Sequence, residues 1–273
     1  VVVLKEAEMR RIVGKAGMLL SVLIMVALTA SSCGGGSSKV GVDEDEVFAD
    51  LLAAQAGITT YKLDIFTMQH MYGQSGILTL ETTLSVDASA TVDVTNEEME
   101  IDMTVTAQAT GRDTETTQTR VFLVGDYLYT GTASSGQEWS WTKEATPSGY
   151  WDNQESLGQQ LHLLDGSQRE IVREENVDGV DCFVLELTPD LDQLWSLMTQ
   201  SWTGETSNVT NPKDMIKGCS VTQWVAKDTS LLAKGVVQMN LDLTSDDMVI
   251  LVEVKFHDYN EPVSINLPSE AEG

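Results

Sequence analysis

Apolar residues alternating with a period of two constrain this chain more than any other feature. Tyr61, Leu63 and Ile65 alternate with Lys62 and Asp64. Val86, Ala88, Ala90, Val92 and Val94 alternate with small polar residues, and Ile101, Met103, Val105 and Ala107 do the same. Successive side chains of a strand point to opposite faces, so each run has one apolar and one wet face. Parallel strands covered on both sides read as unbroken apolar runs instead, and the pattern therefore predicts antiparallel sheet. Further strands are predicted at 120–124, 126–130, around Trp139 and Trp141, and at 170–176, 180–187, 221–226, 231–243 and 248–256. A short edge strand is expected at 262–268, between Pro262 and Pro268. Turns are read at Thr95-Asn96-Glu97-Glu98, at Gly125-Asp126 and at Asp178-Gly179, an Asp-Gly pair of the kind that closes tight hairpins.

Helical spacing appears in three places. Asp43 is placed to cap a helix, with Glu46 three residues on, and Val47, Leu51 and Ala54 then recur with Phe48 and Leu52 beside them until Gly57. Asp152 begins a second run through Leu157, Leu161 and Leu164 to Gly166. Thr188-Pro189-Asp190 opens a third, with Leu191, Leu194, Trp195, Met198 and Trp202 forming a wide stripe. One extra turn of helix is read at 211–218. The fold class expected is mainly β (α+β): a continuous antiparallel sheet with an apolar concave face under two to four helices.

The N-terminal third of the first hundred residues sets location. Arg10, Arg11 and Lys15 precede an apolar run from Met18 to Ala30, which is too short to span a bilayer as a helix. Ala30-Ser31-Ser32 leads into Cys33 and then Gly34-Gly35-Gly36-Ser37-Ser38. This resembles the lipobox of bacterial lipoproteins, although Ala30 stands where that motif usually has Leu. The resemblance implies cleavage before Cys33 and acylation of its thiol. The expected organisation is a signal peptide at 1–32, a lipidated Gly/Ser tether at 33–42 and a single domain at 43–273. The protein would sit at a cell membrane or outer membrane on the extracytoplasmic side. An ordinary cleaved signal peptide and an uncleaved anchor are the alternatives.

The chain carries 16 Lys+Arg against 42 Asp+Glu, a net charge of −26. Such a surface repels phosphate backbones and offers no basic patch, so nucleic acid is not an expected partner. The same charge repels anionic headgroups and leaves membrane attachment to the lipid. No catalytic, cofactor or metal site is predicted. His70, His162 and His257 are isolated from one another, and no nucleophile elbow or phosphate loop is present. His257-Asp258 reads as a surface pair, and Asp43-Glu44-Asp45-Glu46 lacks the spaced ligands of a calcium loop. Asn208-Val209-Thr210 is a glycosylation sequon by pattern alone. Cys182 and Cys219 are candidates for a disulfide, the alternative being two separately buried thiols. Methionines at 68, 71, 99, 103, 198, 215, 239 and 248 are numerous for a strand-rich domain, and methionine adapts to varied apolar shapes. Met103, Val105, Trp195, Met198, Met239 and Leu241 are the candidate lining of an apolar cavity, with ordinary core packing as the competing reading.

Two segments carry a family resemblance. Asp178-Gly-Val-Asp-Cys-Phe-Val-Leu-Glu-Leu-Thr-Pro, and Gln223-Trp-Val-Ala-Lys-Asp-Thr with the closing Asp258-Tyr-Asn-Glu-Pro-Val-Ser-Ile-Asn-Leu-Pro, resemble the LolA-like lipoproteins, among them the LppX/LprG-type lipid carriers. The lipobox, tether and leading helix add to the resemblance. It implies a strongly curved antiparallel half-barrel closed by helices over a hydrophobic cavity, and binding of lipid or lipoprotein acyl chains. A surface sensor or scaffold with a filled core and an acidic outer face, binding a protein partner, is the second expectation.

Overall fold

Eleven strands in one sheet and one α-helix account for most of the computed structural model, which describes residues 41–75, 78–146, 168–189, 216–242 and 246–271. Helix α1 spans Glu44–Gln55, and Asp43 caps it as the sequence predicts, its carboxylate accepting from the amides of Asp45 and Glu46. The strands are β1 (Thr60–Ser75), β2 (Leu78–Asp93), β3 (Glu98–Ala109), β4 (Glu115–Val124), β5 (Tyr127–Ser134), β6 (Ser140–Ala145), β7 (Gln168–Val177), β8 (Val180–Thr188), β9 (Ile216–Ala226), β10 (Leu232–Asp242) and β11 (Asp246–His257). Their spatial order is β6-β5-β4-β3-β2-β1-β11-β10-β9-β8-β7, and every pairing is antiparallel. Two meanders, β1–β6 and β7–β11, thus join along β1 and β11, where Lys62 pairs with His257 and Gly73 with Asp246.

Local chemistry fixes the corners. Asp178 and Gly179 both take positive φ, 52° and 95°, and Asn176 accepts from the Gly179 amide, which closes the β7–β8 hairpin. The segment after β11 clamps the start of β1. The Asn260 carboxamide oxygen accepts from the Thr59 amide at 2.7 Å and the Thr59 hydroxyl at 3.0 Å, and the Thr60 hydroxyl donates to the Glu261 carbonyl. Tyr259 donates its hydroxyl to the Leu232 carbonyl at 2.7 Å. The Asp258-Tyr-Asn-Glu stretch is therefore the joint between the two meanders.

The mainly β, antiparallel expectation is met, and two details are corrected. Among the described residues α1 is the one α-helix, with a short 3-10 turn at Ser269–Ala271. The runs expected at 152–166 and 190–202 lie outside the described residues. Residues 216–218, read as a helical turn, begin β9 and pair with β10. The tail at 262–268 joins no ladder: its flanking prolines have no N–H to give, and Ile265 and Leu267 instead pack against Phe122 and Tyr129. Its burial alternates as in a strand, but side-chain packing rather than backbone pairing holds it.

Alternation gives the sheet two distinct faces. The main core lies on the inner face, where α1 contributes Val47, Phe48 and Leu51 and eight adjacent strands, from β3 to β7, contribute the rest. Glu44, only 6% exposed, accepts from the Ile171 amide at 3.2 Å where the β7–β8 register shifts. A carboxylate that reads as a solvated acid in sequence is thus the partner of a backbone donor freed by a bulge.

Candidate functional site

The inner face is built from cross-strand rows. One row runs Val221, Val237, Val252, Thr67, Val86 and Val105, and the next runs Cys219, Met239, Ile250, Gln69, Leu84 and Ala107. Val252, Val254 and Met239 are 0% exposed. Toward the far ends of β1, β10 and β11 the face opens: Leu241 and Met248 are half-buried, and Met71, paired with Met248, is exposed at 36%. Met103, Val105, Met239 and Leu241, predicted as cavity lining, are brought together on this one face. Met68 falls on the opposite parity from Met71. Trp195, Met198 and Met215 lie outside the described residues, as does Cys33.

The disulfide expectation is corrected. Cys182 and Cys219 are free. Cys182 pairs with Ala226 and packs with Val184 and Trp224 on the outer face, whereas Cys219 packs on the inner face. Seven residues of β9 separate Cys219 from that pairing, about 23 Å at ~3.3 Å per residue, far beyond the reach of a disulfide. Burial pushes both thiols up to about 11, with nearby Asp181, Asp228 and Glu175 adding to the effect at Cys182. Both are therefore poor nucleophiles at neutral pH.

The outer face holds an open groove of about 610 Å³ that sequence reading did not find. It crosses β11, β1, β2, β3 and β4 and includes Asp64, Phe66, Asp87, Asp102, Arg120, Trp139, Glu253 and Lys255. Two rows make it: Lys255, Asp64, Ser89, Asp102 and Arg120, and beside it Glu253, Phe66, Asp87, Thr104 and Gln118. Arg120 meets Asp102 at 2.7 Å and lies over the Trp139 ring at 5.0 Å, while Trp139 stacks on Trp141. Lys255 meets Asp178 at 2.7 Å and Lys234 meets Glu253 at 2.9 Å. The hydrogen bond to Lys255 holds Asp178 below the usual carboxylate range and raises Lys255 in turn. His257 lies 3.5 Å from Asp64 and 3.3 Å from Asp258, an exposed ring between two carboxylates, as its surface-pair reading predicted. Among the described residues no group of His, Cys, Asp and Glu is arranged to hold a metal ion.

No curated protein matches the chain. Solved structures to which the chain is similar include the Mycobacterium tuberculosis lipoprotein LppX, 14% identical, covering 82% of this chain and 100% of that one, with a TM-score of 0.43. A DUF1329 family protein from Desulfovibrio piger ATCC 29098 is 12% identical over 81% of this chain and 94% of its own, with a TM-score of 0.24. A β-barrel-like DUF1849 protein from Brucella abortus is 11% identical over 74% and 99%, with a TM-score of 0.28. The family of unknown function DUF6612 matches residues 43–272, and the chain belongs to that family.

Proposed function

We propose that this member of DUF6612 is a lipid-anchored extracytoplasmic protein that holds an acyl chain, of a lipid or of a lipoprotein, against the inner face of its sheet. The observation that carries this reading is the convergence of Met103, Val105, Met239 and Leu241 with Met71 and Met248 on one continuous apolar surface. These residues come from β3, β1, β10 and β11, and only the strand order unites them. The apolar face crosses eight strands, about 34 Å at ~4.8 Å per strand. Helix α1, with 12 residues, is about 18 Å long and roughly 10 Å wide, and so covers a fraction of that width. Methionine at the open end suits chains of varied length and unsaturation.

A curved, half-barrel sheet belongs to this proposal. The 2.7 Å contact between Asp178 and Lys255 supports it, because the β7–β8 turn reaches a strand three positions away, about 14 Å in a flat sheet. The anchor is Cys33, whose diacylglyceryl group supplies two chains where one gives only marginal binding. The protein acts by holding its ligand rather than by transforming it. Native mass spectrometry and solvent extraction of protein purified from membranes test the reading. Co-purified lipid in stoichiometric amount is the expected result. A ligand-free protein whose inner face stays fully protected would assign the 0% exposure of Met239, Val252 and Val254 to a filled core and overturn it.

A further inference from the structure

We infer that the outer groove is a second binding site, one that takes a lysine or arginine side chain from an extended segment of a partner protein. The inference stands on which of its groups are committed. The two cations in the lining are engaged, Arg120 with Asp102 and Lys255 with Asp178, and Glu253 is engaged with Lys234. What the groove presents to an incoming group is a set of acceptors: the Asp64 carboxylate, 63% exposed between the His257 ring at 3.5 Å and Lys255 across the ladder, whose ammonium is bonded to Asp178, and the exposed Asp87 carboxylate. A donor-rich group matches such a lining, and an anion does not.

Phe66 gives the second half of the match. It is 37% exposed and stands directly between Glu253 and Asp87 in the cross-strand row. Directly opposed side chains in antiparallel strands lie about 5 Å apart, so a carboxylate flanks the ring on each side. A lysine or arginine side chain lays its methylene stem on such a ring and delivers its charged head to the carboxylates. The groove crosses five strands, about 19 Å at ~4.8 Å per strand, a length that suits an extended peptide rather than one small cation. The net charge of −26 draws a basic partner toward this face. Arg120 and Lys255 then set where along the groove a second positive residue is excluded. The site is on the opposite face from the proposed acyl site and does not depend on it.

The test titrates a fluorescent arginine-serine repeat peptide, a glutamate-serine repeat and spermidine against the mature protein, its Phe66→Ala and Asp87→Asn variants, and an Asp113→Asn variant that removes an exposed charge outside the groove. Saturable binding of the arginine peptide is expected, weakened about tenfold by Phe66→Ala or Asp87→Asn as a charge-assisted contact or a cation-bearing ring is lost, and unchanged by Asp113→Asn. The glutamate peptide should not bind. Equal weakening by Asp87→Asn and Asp113→Asn would reduce the effect to diffuse attraction and overturn the site. Spermidine binding without peptide binding would assign the groove to a free amine and overturn the docking role. Circular dichroism of each variant confirms that the fold is intact.

Discussion

Replacing Gly131 by alanine tests the packing that walls the outer groove. Gly131 pairs with Trp141 across β5 and β6, and a Cβ placed there would lie 2.8 Å from three carbons of the Trp141 ring. Carbon atoms rest at about 3.5–4.0 Å, so the ring must retreat by roughly 0.7–1.2 Å. It has little room to do so. Its centroid is 6.1 Å from Phe122, which is 1% exposed, and 5.9 Å from Trp139, which in turn lies under Arg120. Overpacking of this kind costs about 1–3 kcal/mol, while alanine regains about 0.5–1 kcal/mol over glycine in a strand at ordinary φ. The net destabilisation should be about 0.5–2 kcal/mol, a fall of a few degrees in Tm for a domain this size. Urea unfolding followed by tryptophan fluorescence measures it. The same substitution in a Trp141→Leu background should be neutral or mildly stabilising, because the obstructing ring is gone. An equal cost in both backgrounds, or no cost in the wild type, would refute the reasoning.

Two further perturbations follow from the joint between the meanders. Tyr259→Phe removes the donor to the Leu232 carbonyl but keeps the ring stacked on Phe256, and should cost about 1–2 kcal/mol in urea unfolding, clearly less than Tyr259→Ala. The Lys62–Asp258 pair at 2.7 Å sets a pH window. Its hydrogen bond, with a smaller one from His257, lowers the Asp258 pKa, and its hydrogen bond and charge raise that of Lys62. The Asp258 contribution is present above its unfolded pKa of about 3.9 and is lost as pH falls through the lower folded value. The Lys62 contribution is full below about 10.4 and is lost as pH rises through the higher folded value. The part of the Tm gap between wild type and Asp258→Asn that comes from the Lys62 pair should therefore be full between about pH 5 and 10 and be lost on either side. Asparagine tolerates the positive φ of 53° at that position, so the comparison isolates the charge.

Much of the fold is legible because local rules and tertiary demands agree. Asp43 caps α1, Asp178-Gly179 turns a hairpin, and the alternation at 86–94 and 101–107 names the inner face correctly, Met103 and Val105 included. Where they disagree, sequence misleads. The Pro262–Pro268 tail alternates because Ile265 and Leu267 pack on the cluster of Phe122 and Tyr129, a pattern that one strand face and one strapped tail share. Ile216-Lys-Gly-Cys is too short a run, following Asn211-Pro212, to announce β9, and only pairing with β10 extends it. Thr116 to Thr119 in β4 give no apolar alternation, since their strand identity comes from neighbours on both sides. The outer groove was illegible for the same reason. Asp64, Asp87, Asp102 and Arg120 are ordinary wet-face residues on four strands, and register alone gathers them. Glu44 is the inverse case, an acid whose value lies in one amide far along the chain.

The most direct measurement of the central claim is photo-crosslinking with a fatty acid that carries a diazirine in its chain, followed by peptide mapping of the labelled protein. Acyl binding on the inner face predicts adducts on the peptides bearing Met71, Met103, Met239 and Met248, suppressed by excess unlabelled fatty acid. Adducts confined to outer-face peptides such as those around Phe66 and Trp139, or labelling that excess fatty acid does not suppress, would contradict the account.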